Sequence, residues 1–182
     1  MEHAAESAAK PSAQAETDAE RIAQALESFP ERAAAAQREE GEDSEEELSS
    51  TEWKDRGASH FKAKRFAEAR DCYTEALDSE MASGYSQGKG FASVLYANRS
   101  ACLLELKDAD AALLDAGRAV QMDRTNKKAF FRKGKAFFGL GRYEDALDAL
   151  LHAQMLAEAA GEDPDRALQQ LIRECEPKAG TK

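Results

Sequence analysis

From Trp53 onward, apolar residues recur at spacings of three, four and seven, and the interruptions fall on Gly, Asp and Asn. That is the rhythm of one amphipathic helix after another. The rhythm itself repeats. At an offset of 34 residues, Ser93 to Asn126 overlies Lys127 to Ala160, pairing Leu103 with Phe137, Ala112 with Ala146, Leu113 with Leu147 and Ala119 with Ala153. An earlier copy pairs Gly57 with Gly134, Phe66 with Tyr143, Ala69 with Ala146 and Ala76 with Ala153, and its offset from the second copy is nine residues longer. The repeats predicted are about 50–83, 93–126 and 127–160.

A 34-residue unit with a bulky residue, then Gly or another small residue, then alanines resembles the tetratricopeptide repeat (TPR), a helix-turn-helix unit. Small side chains are needed at Gly57, Ser100 and Gly134 because two antiparallel helices approach closely only where one side chain is slight. About three repeats are the minimum that shares a continuous core, and the last needs a polar-backed cap. Asp163 as N-cap, Pro164 in the first turn, and Arg166, Leu168, Leu171, Ile172 and Cys175 predict that cap as a seventh helix over 164–175. The expected fold is all-α: a TPR superhelix of three repeats plus a C-terminal capping helix over 52–176, with a disordered end at 177–182. Its concave face would be lined by the first helix of each repeat.

Composition changes the picture upstream. Residues 1–51 hold 13 alanines, 14 acids and 4 bases, with a near-continuous acidic block from Glu39 to Glu47. Such a segment cannot bury enough apolar area to offset its ordering entropy, so a disordered acidic tail is expected, with at most a transient helix around Ile22, Leu26 and Phe29. Ser44 and Ser49 stand in acidic contexts that suit acid-directed kinases. The formal net charge of −10 belongs wholly to this tail, since 21 bases balance 21 acids in residues 52–182. A charge of that sign argues against sequence-independent nucleic-acid binding, and no apolar run approaches the roughly 18 residues that cross a membrane. The N-terminus has neither a secretory nor a transit pattern, so a cytoplasmic location is expected, with the nucleus also open. Cys72, Cys102 and Cys175 are odd in number and widely spaced, which suits reduced thiols better than disulfides or a metal site.

Few residues suggest chemistry. The stretch Gly84 to Gly90 looks like a phosphate loop, but its glycines are one residue too close, no Ser or Thr follows Lys89, and it lies between helices. It is better explained as a flexible loop that carries the nine-residue insertion. His60 and His152 lack partners at metal-ligand spacing, and a Cys102–His60 nucleophile pair has no activating motif around it. No enzyme, metal or cofactor is expected. One cluster does stand out: Lys127, Lys128, Arg132, Lys133 and Lys135 place five bases in nine residues on the first helix of the third repeat. Lys128 and Arg132 are four apart and share one side of that helix, and Lys54 and Asn98 fall at matching groove-facing positions of the earlier repeats.

The runs Trp53-Lys54-Asp55-Arg56-Gly57, Leu95 to Cys102 and Lys128 to Gly134 resemble the TPR co-chaperones, in particular the chaperone-binding domains of UNC-45 and the Hsp-organising proteins. In that family five residues form a two-carboxylate clamp for the acidic tail, ending EEVD, of the 90-kDa and 70-kDa heat-shock chaperones. The resemblance implies that Lys54, Asn98, Lys128 and Arg132 supply four of them, while Ala58 stands where the fifth is normally Asn. Beside Ala58, the residues Phe61, Leu104 and Phe138 read equally as apolar contacts to the peptide or as core. The resemblance covers about two-thirds of the chain and implies an adaptor without catalysis of its own. A TPR scaffold for an unrelated peptide motif is the alternative.

Overall fold

A computed structural model describes residues 48–163 and 165–180. The expectations placed on the acidic tail through Glu47, on Ser44, on Pro164 and on residues 181–182 lie outside that range. Seven helices follow one another: α1 (Ser50–Lys62), α2 (Phe66–Ala82), α3 (Lys89–Glu105), α4 (Ala109–Met122), α5 (Lys127–Gly139), α6 (Tyr143–Ala159) and α7 (Arg166–Ala179). No strand occurs among the described residues. The all-α expectation holds, with helix pairs α1–α2, α3–α4 and α5–α6 and a final helix packed on α6. Each pair also packs on the next, α2 on α3 and α4 on α5, while α3 meets α5 directly.

The turn inside each pair shows the repeat at single-residue resolution. Lys64, Lys107 and Gly141 occupy equivalent positions with φ of 59°, 67° and 73°, and the next residue's N–H returns to the carbonyls of His60, Leu103 and Phe137. Only the third copy uses the residue that adopts this left-handed conformation without cost. The helix crossings also match the small-residue argument. A Cβ on Gly134 would lie 2.6 Å from Leu150 Cγ and 3.2 Å from the Ala146 carbonyl, and one on Gly57 would lie 2.9 Å from the buried Tyr73 ring. In the middle repeat Ser100 fits because its Oγ donates to the carbonyl of Ala112, the counterpart of Ala146, at 2.8 Å. Gly134→Ala is therefore expected to lower stability by about 1–3 kcal/mol despite its better helix propensity, because Leu150 is fully buried and must move. In a Leu150→Ala background the same Gly134→Ala change should cost less, and a double-mutant cycle in urea would read the difference.

Four boundaries differ from the sequence-based expectation. The domain begins earlier: Ser49 and Glu52, read as a kinase context, form a capping box in which Ser49 N–H donates to Glu52 Oε2 at 2.8 Å, starting α1 at Ser50. The second repeat begins at Lys89 rather than Ser93, because the nine inserted residues are mostly helix. Three lengthen α2 relative to α4, four lengthen α3 relative to α5, and two lengthen the loop. That loop is not left free either. Glu80, fully buried near the end of α2, accepts from Ser50 Oγ at 2.6 Å, Gln87 N at 3.1 Å and Ser86 Oγ at 3.4 Å, tying the loop and the start of α1 to one carboxylate. The cap of α7 is Asp165, not Asp163, its side chain accepting from Ala167 N at 3.1 Å. Finally α7 continues past Cys175 to Ala179, through Pro177. Leu168, Ile172 and Cys175 anchor its buried face, and Lys178 lies over the rings of Phe138 and Tyr143 at 4.6 and 5.2 Å, extending contact by a further turn.

Candidate functional site

The cations singled out in the sequence sit on the first helices of their repeats, and the local fold explains how each is held. At the N-terminus of α1 the capping box and the Ser50–Glu80 hydrogen bond fix the helix one turn before Lys54. The Lys54 side chain, half-buried, pairs with Asp55 at 3.1 Å and lies over the Phe91 ring of α3 at 5.5 Å, so it bridges the first helices of repeats one and two. Phe91 belongs to the extra first turn of α3, which the insertion supplies. That contact was not legible in the sequence, because the period places the second repeat after it.

The start of α5 is fixed by a relay. Asn126 accepts from Ala129 N at 3.1 Å and donates through Nδ2 to Ser93 Oγ at 2.8 Å, and Ser93 Oγ donates to the Ala119 carbonyl at 2.8 Å. One N-cap side chain thus locks α5 to both α3 and α4, and Lys128 and Arg132 follow within two turns. Arg132 faces α3 and α7: Glu105 on α3 and the cap residue Asp165 are the acids whose charge it feels, and the Cys102 thiol lies near it on α3. Burial pushes its guanidinium below the ordinary arginine value, against the opposing pull of the Glu105 and Asp165 carboxylates. Lys135, one turn on, pairs with Glu105 at 3.2 Å, and Lys127 pairs with Glu162. Lys128 is exposed and borders a cavity of about 210 Å³ that Phe131, Ala153 and Leu168 line from the apolar side.

Asn98 is half-exposed on α3, one turn before Cys102 and so on the side of the helix that meets Arg132. Ala58, one turn after Lys54, is half-exposed as well. The three large apolar candidates are engaged in packing. Phe61 meets Phe66 edge-on at 5.3 Å, Phe138 meets Tyr143 in the same way at 5.5 Å beneath Lys178, and Leu104 keeps only 9% of its surface in the cluster with Leu103, Ala112 and Ala136. These are equivalent positions of the three repeats, each closing its own turn.

The residues weighed for catalysis are placed as packing. Cys102 is fully buried and burial pushes its thiol up to about 12, far from a thiolate nucleophile at neutral pH. Burial also raises the thiols of Cys72 and Cys175. The ring nitrogen Nδ1 of His60 is buried, and His152 stacks on Phe130 at 5.4 Å with Nδ1 3.0 Å from the Asp148 carbonyl. Among the described residues no helix is long and apolar enough to cross a membrane.

The first helices of the repeats thus carry cations on α1 and α5 and an amide on α3, with Asp55, Glu105, Glu162 and Asp165 beside the cations. Comparisons with known proteins agree with the repeat. The tetratricopeptide repeat family profile matches residues 50–80. The chain is 38% identical over 101 residues to the Hsp70/Hsp90 co-chaperone CNS1 of Saccharomyces cerevisiae, covering 56% of this chain and 25% of that protein. It is 35% identical over 97 residues to Protein unc-45 homolog B of Danio rerio, covering 53% of this chain and 10% of that protein. The chain thus spans a quarter or less of these two relatives. Among solved structures, the first TPR of Spaghetti (RPAP3), bound to the HSP90 peptide SRMEEVD, matches with a TM-score of 0.62 at 25% identity, covering 72% of this chain and 94% of that one.

Proposed function

We propose that this chain, a tetratricopeptide-repeat protein, is a cytoplasmic co-chaperone adaptor whose inner groove holds the acidic C-terminal tail, ending EEVD, of the 90-kDa or 70-kDa heat-shock chaperones. The observation that carries the reading is Arg132: a recessed, partly desolvated guanidinium on α5 that faces α3, with Lys128 one turn before it. A charge held at that cost is best explained by an anion that completes it.

A peptide C-terminus presents an α-carboxylate and, when the last residue is Asp, a second carboxylate a few ångströms away. Lys54 and Asn98 hold the terminal carboxylate, while Lys128 and Arg132 address the Asp side chain and the peptide backbone, the arginine offering two parallel donors where lysine offers one point charge. Ala58 contributes no donor where the resemblance implies an amide. One neutral hydrogen bond is worth about 0.5–1.5 kcal/mol, so the affinity falls by about twofold to tenfold relative to a complete set and is not abolished. The chain catalyses nothing itself; it joins a chaperone to whatever its other segments bind.

Amidating the peptide tests the reading directly. A peptide ending in EEVD with a free carboxylate is expected to bind about tenfold or more tighter than its C-terminal amide, which loses one charge-assisted interaction of about 1.5–3 kcal/mol. Equal affinities, or no affinity for either, would remove the clamp from consideration and leave a TPR scaffold for another motif.

A further inference from the structure

Away from the inner groove, α2 and α4 wall a second depression of about 300 Å³ whose floor is α3. None of Lys54, Asn98, Lys128 and Arg132 borders it. Three arginines do: Arg70 from α2, Arg99 from α3 and Arg118 from α4, with Asp115 as the one acid in its lining. Asp115 is spent on the floor. Its two oxygens accept from Arg99 at 2.7 and 2.9 Å, and a third Arg99 nitrogen donates to Thr74 Oγ1 at 3.2 Å, so Arg99 is a fixed strut.

The two wall arginines are different. The side chain of Arg118 is 56% exposed, stacks over the Tyr96 ring at 5.7 Å and lies 3.8 Å from Asp115, too far for a hydrogen bond. Arg70 is 41% exposed, and its contact at 2.6 Å is with Asp71, its neighbour on the same helix and itself 63% exposed. Surface pairs of that kind are worth under about 1 kcal/mol and exchange readily for a better-placed carboxylate. Between the walls stands Leu114, the most exposed large apolar residue described at 67%, with Leu103 beneath it. Two reachable guanidiniums about an exposed leucine complement an apolar side chain flanked by carboxylates.

We propose that the groove between α2 and α4 is a second docking site, taking an internal acidic segment of a partner protein. One apolar side chain seats on Leu114 and Leu103, and the flanking carboxylates engage Arg70 and Arg118. The site needs no free C-terminus, so it can be filled while the inner groove is occupied. A nucleic acid is a poorer fit, because a polyphosphate gains nothing from the exposed leucine between the arginines.

The full chain, isotopically labelled, would be titrated with a peptide blocked at both ends, acetyl-EEDFEDE-amide, and followed by amide shifts. Saturable shifts are expected at Arg70, Leu114 and Arg118 and not on α5. Leu114→Ser and Arg118→Ala, both at exposed side chains, should each weaken binding by about tenfold, while Lys128→Ala with Arg132→Ala leaves it unchanged. Replacing the central Phe by Gly in the peptide should cost a similar factor. Absence of saturation, shifts confined to α1, α3 and α5 on the inner side, indifference to either substitution or to the Phe, or tighter binding of a single-stranded RNA of equal charge would each overturn the proposal.

Discussion

A chain carrying Lys128→Ala and Arg132→Ala together will bind an EEVD-ended peptide about 10²–10⁴-fold more weakly than the parent while keeping its melting temperature. In the proposed clamp each residue supplies hydrogen bonds to a carboxylate worth about 1.5–3 kcal/mol, and every 1.4 kcal/mol is about tenfold in affinity. Arg132→Ala should account for the larger share, since its guanidinium is recessed and less screened than the exposed Lys128. That the melting temperature does not fall follows from the direction of the Arg132 shift, since a charge disfavoured by the fold adds no stability for alanine to remove. Burial lowers its pKa, so the fold disfavours its charged form, yet at neutral pH it stays protonated both folded and unfolded. The cost is therefore constant around neutrality, and alanine removes it along with the attraction to Glu105 and Asp165. Calorimetric titration and a thermal melt on the same sample read both quantities. Affinity within about threefold of the parent, or a melting temperature that falls in step with it, would refute the assignment of these side chains to ligand binding.

Much of this was written in the sequence, and the residues show why. A 34-residue period appears wherever each repeat must place the same small residue at the same helix crossing, as Gly57, Ser100 and Gly134 do. Lys128 and Arg132 were visible because like charges four apart on a helix share a face, which is local geometry. What escaped was non-local or rested on a spacing with two meanings. The Ser49–Glu52 spacing suits a kinase and a capping box alike, and only the hydrogen bonds choose between them. Glu80 carries no mark in the sequence; its burial depends on the loop folding back so that Ser86 and Gln87 donate to it. The insertion between repeats hid the added turn of α3, and with it the ring of Phe91 beneath Lys54. Phe61, Leu104 and Phe138 could be core or ligand contact from their spacing alone; their partners across the turn engage them in the repeat itself.

Asp115→Ala is expected to cost about 3–5 kcal/mol, about a fifth or more of the stability of an ordinary domain. Asp115 on α4 is 5% exposed and Arg99 on α3 is 17% exposed, and the pair is joined by two hydrogen bonds with Thr74 of α2 completing the fork. Removing the acid strands a guanidinium that cannot discharge itself, whereas Arg99→Ala strands a carboxylate that Arg118 still approaches at 3.8 Å and that can take up a proton. Asp115→Ala should therefore be the worse of the two single changes at neutral pH, and the double variant should lose less than their sum, as expected when two groups share one interaction. Urea unfolding of the four proteins measures this; additive losses would mean that the pair carries no coupling. The same contact bears on the inner groove. Arg99 and Asn98 are successive residues on α3, so the fork that clamps Arg99 against α4 also sets the rotation at which Asn98 is presented. At a temperature where Asp115→Ala remains folded, its affinity for an EEVD-ended peptide should still fall by about twofold to tenfold, the worth of one neutral hydrogen bond misaimed. A parent-like affinity would show that Asn98 is aimed by the rest of α3 without the buried pair.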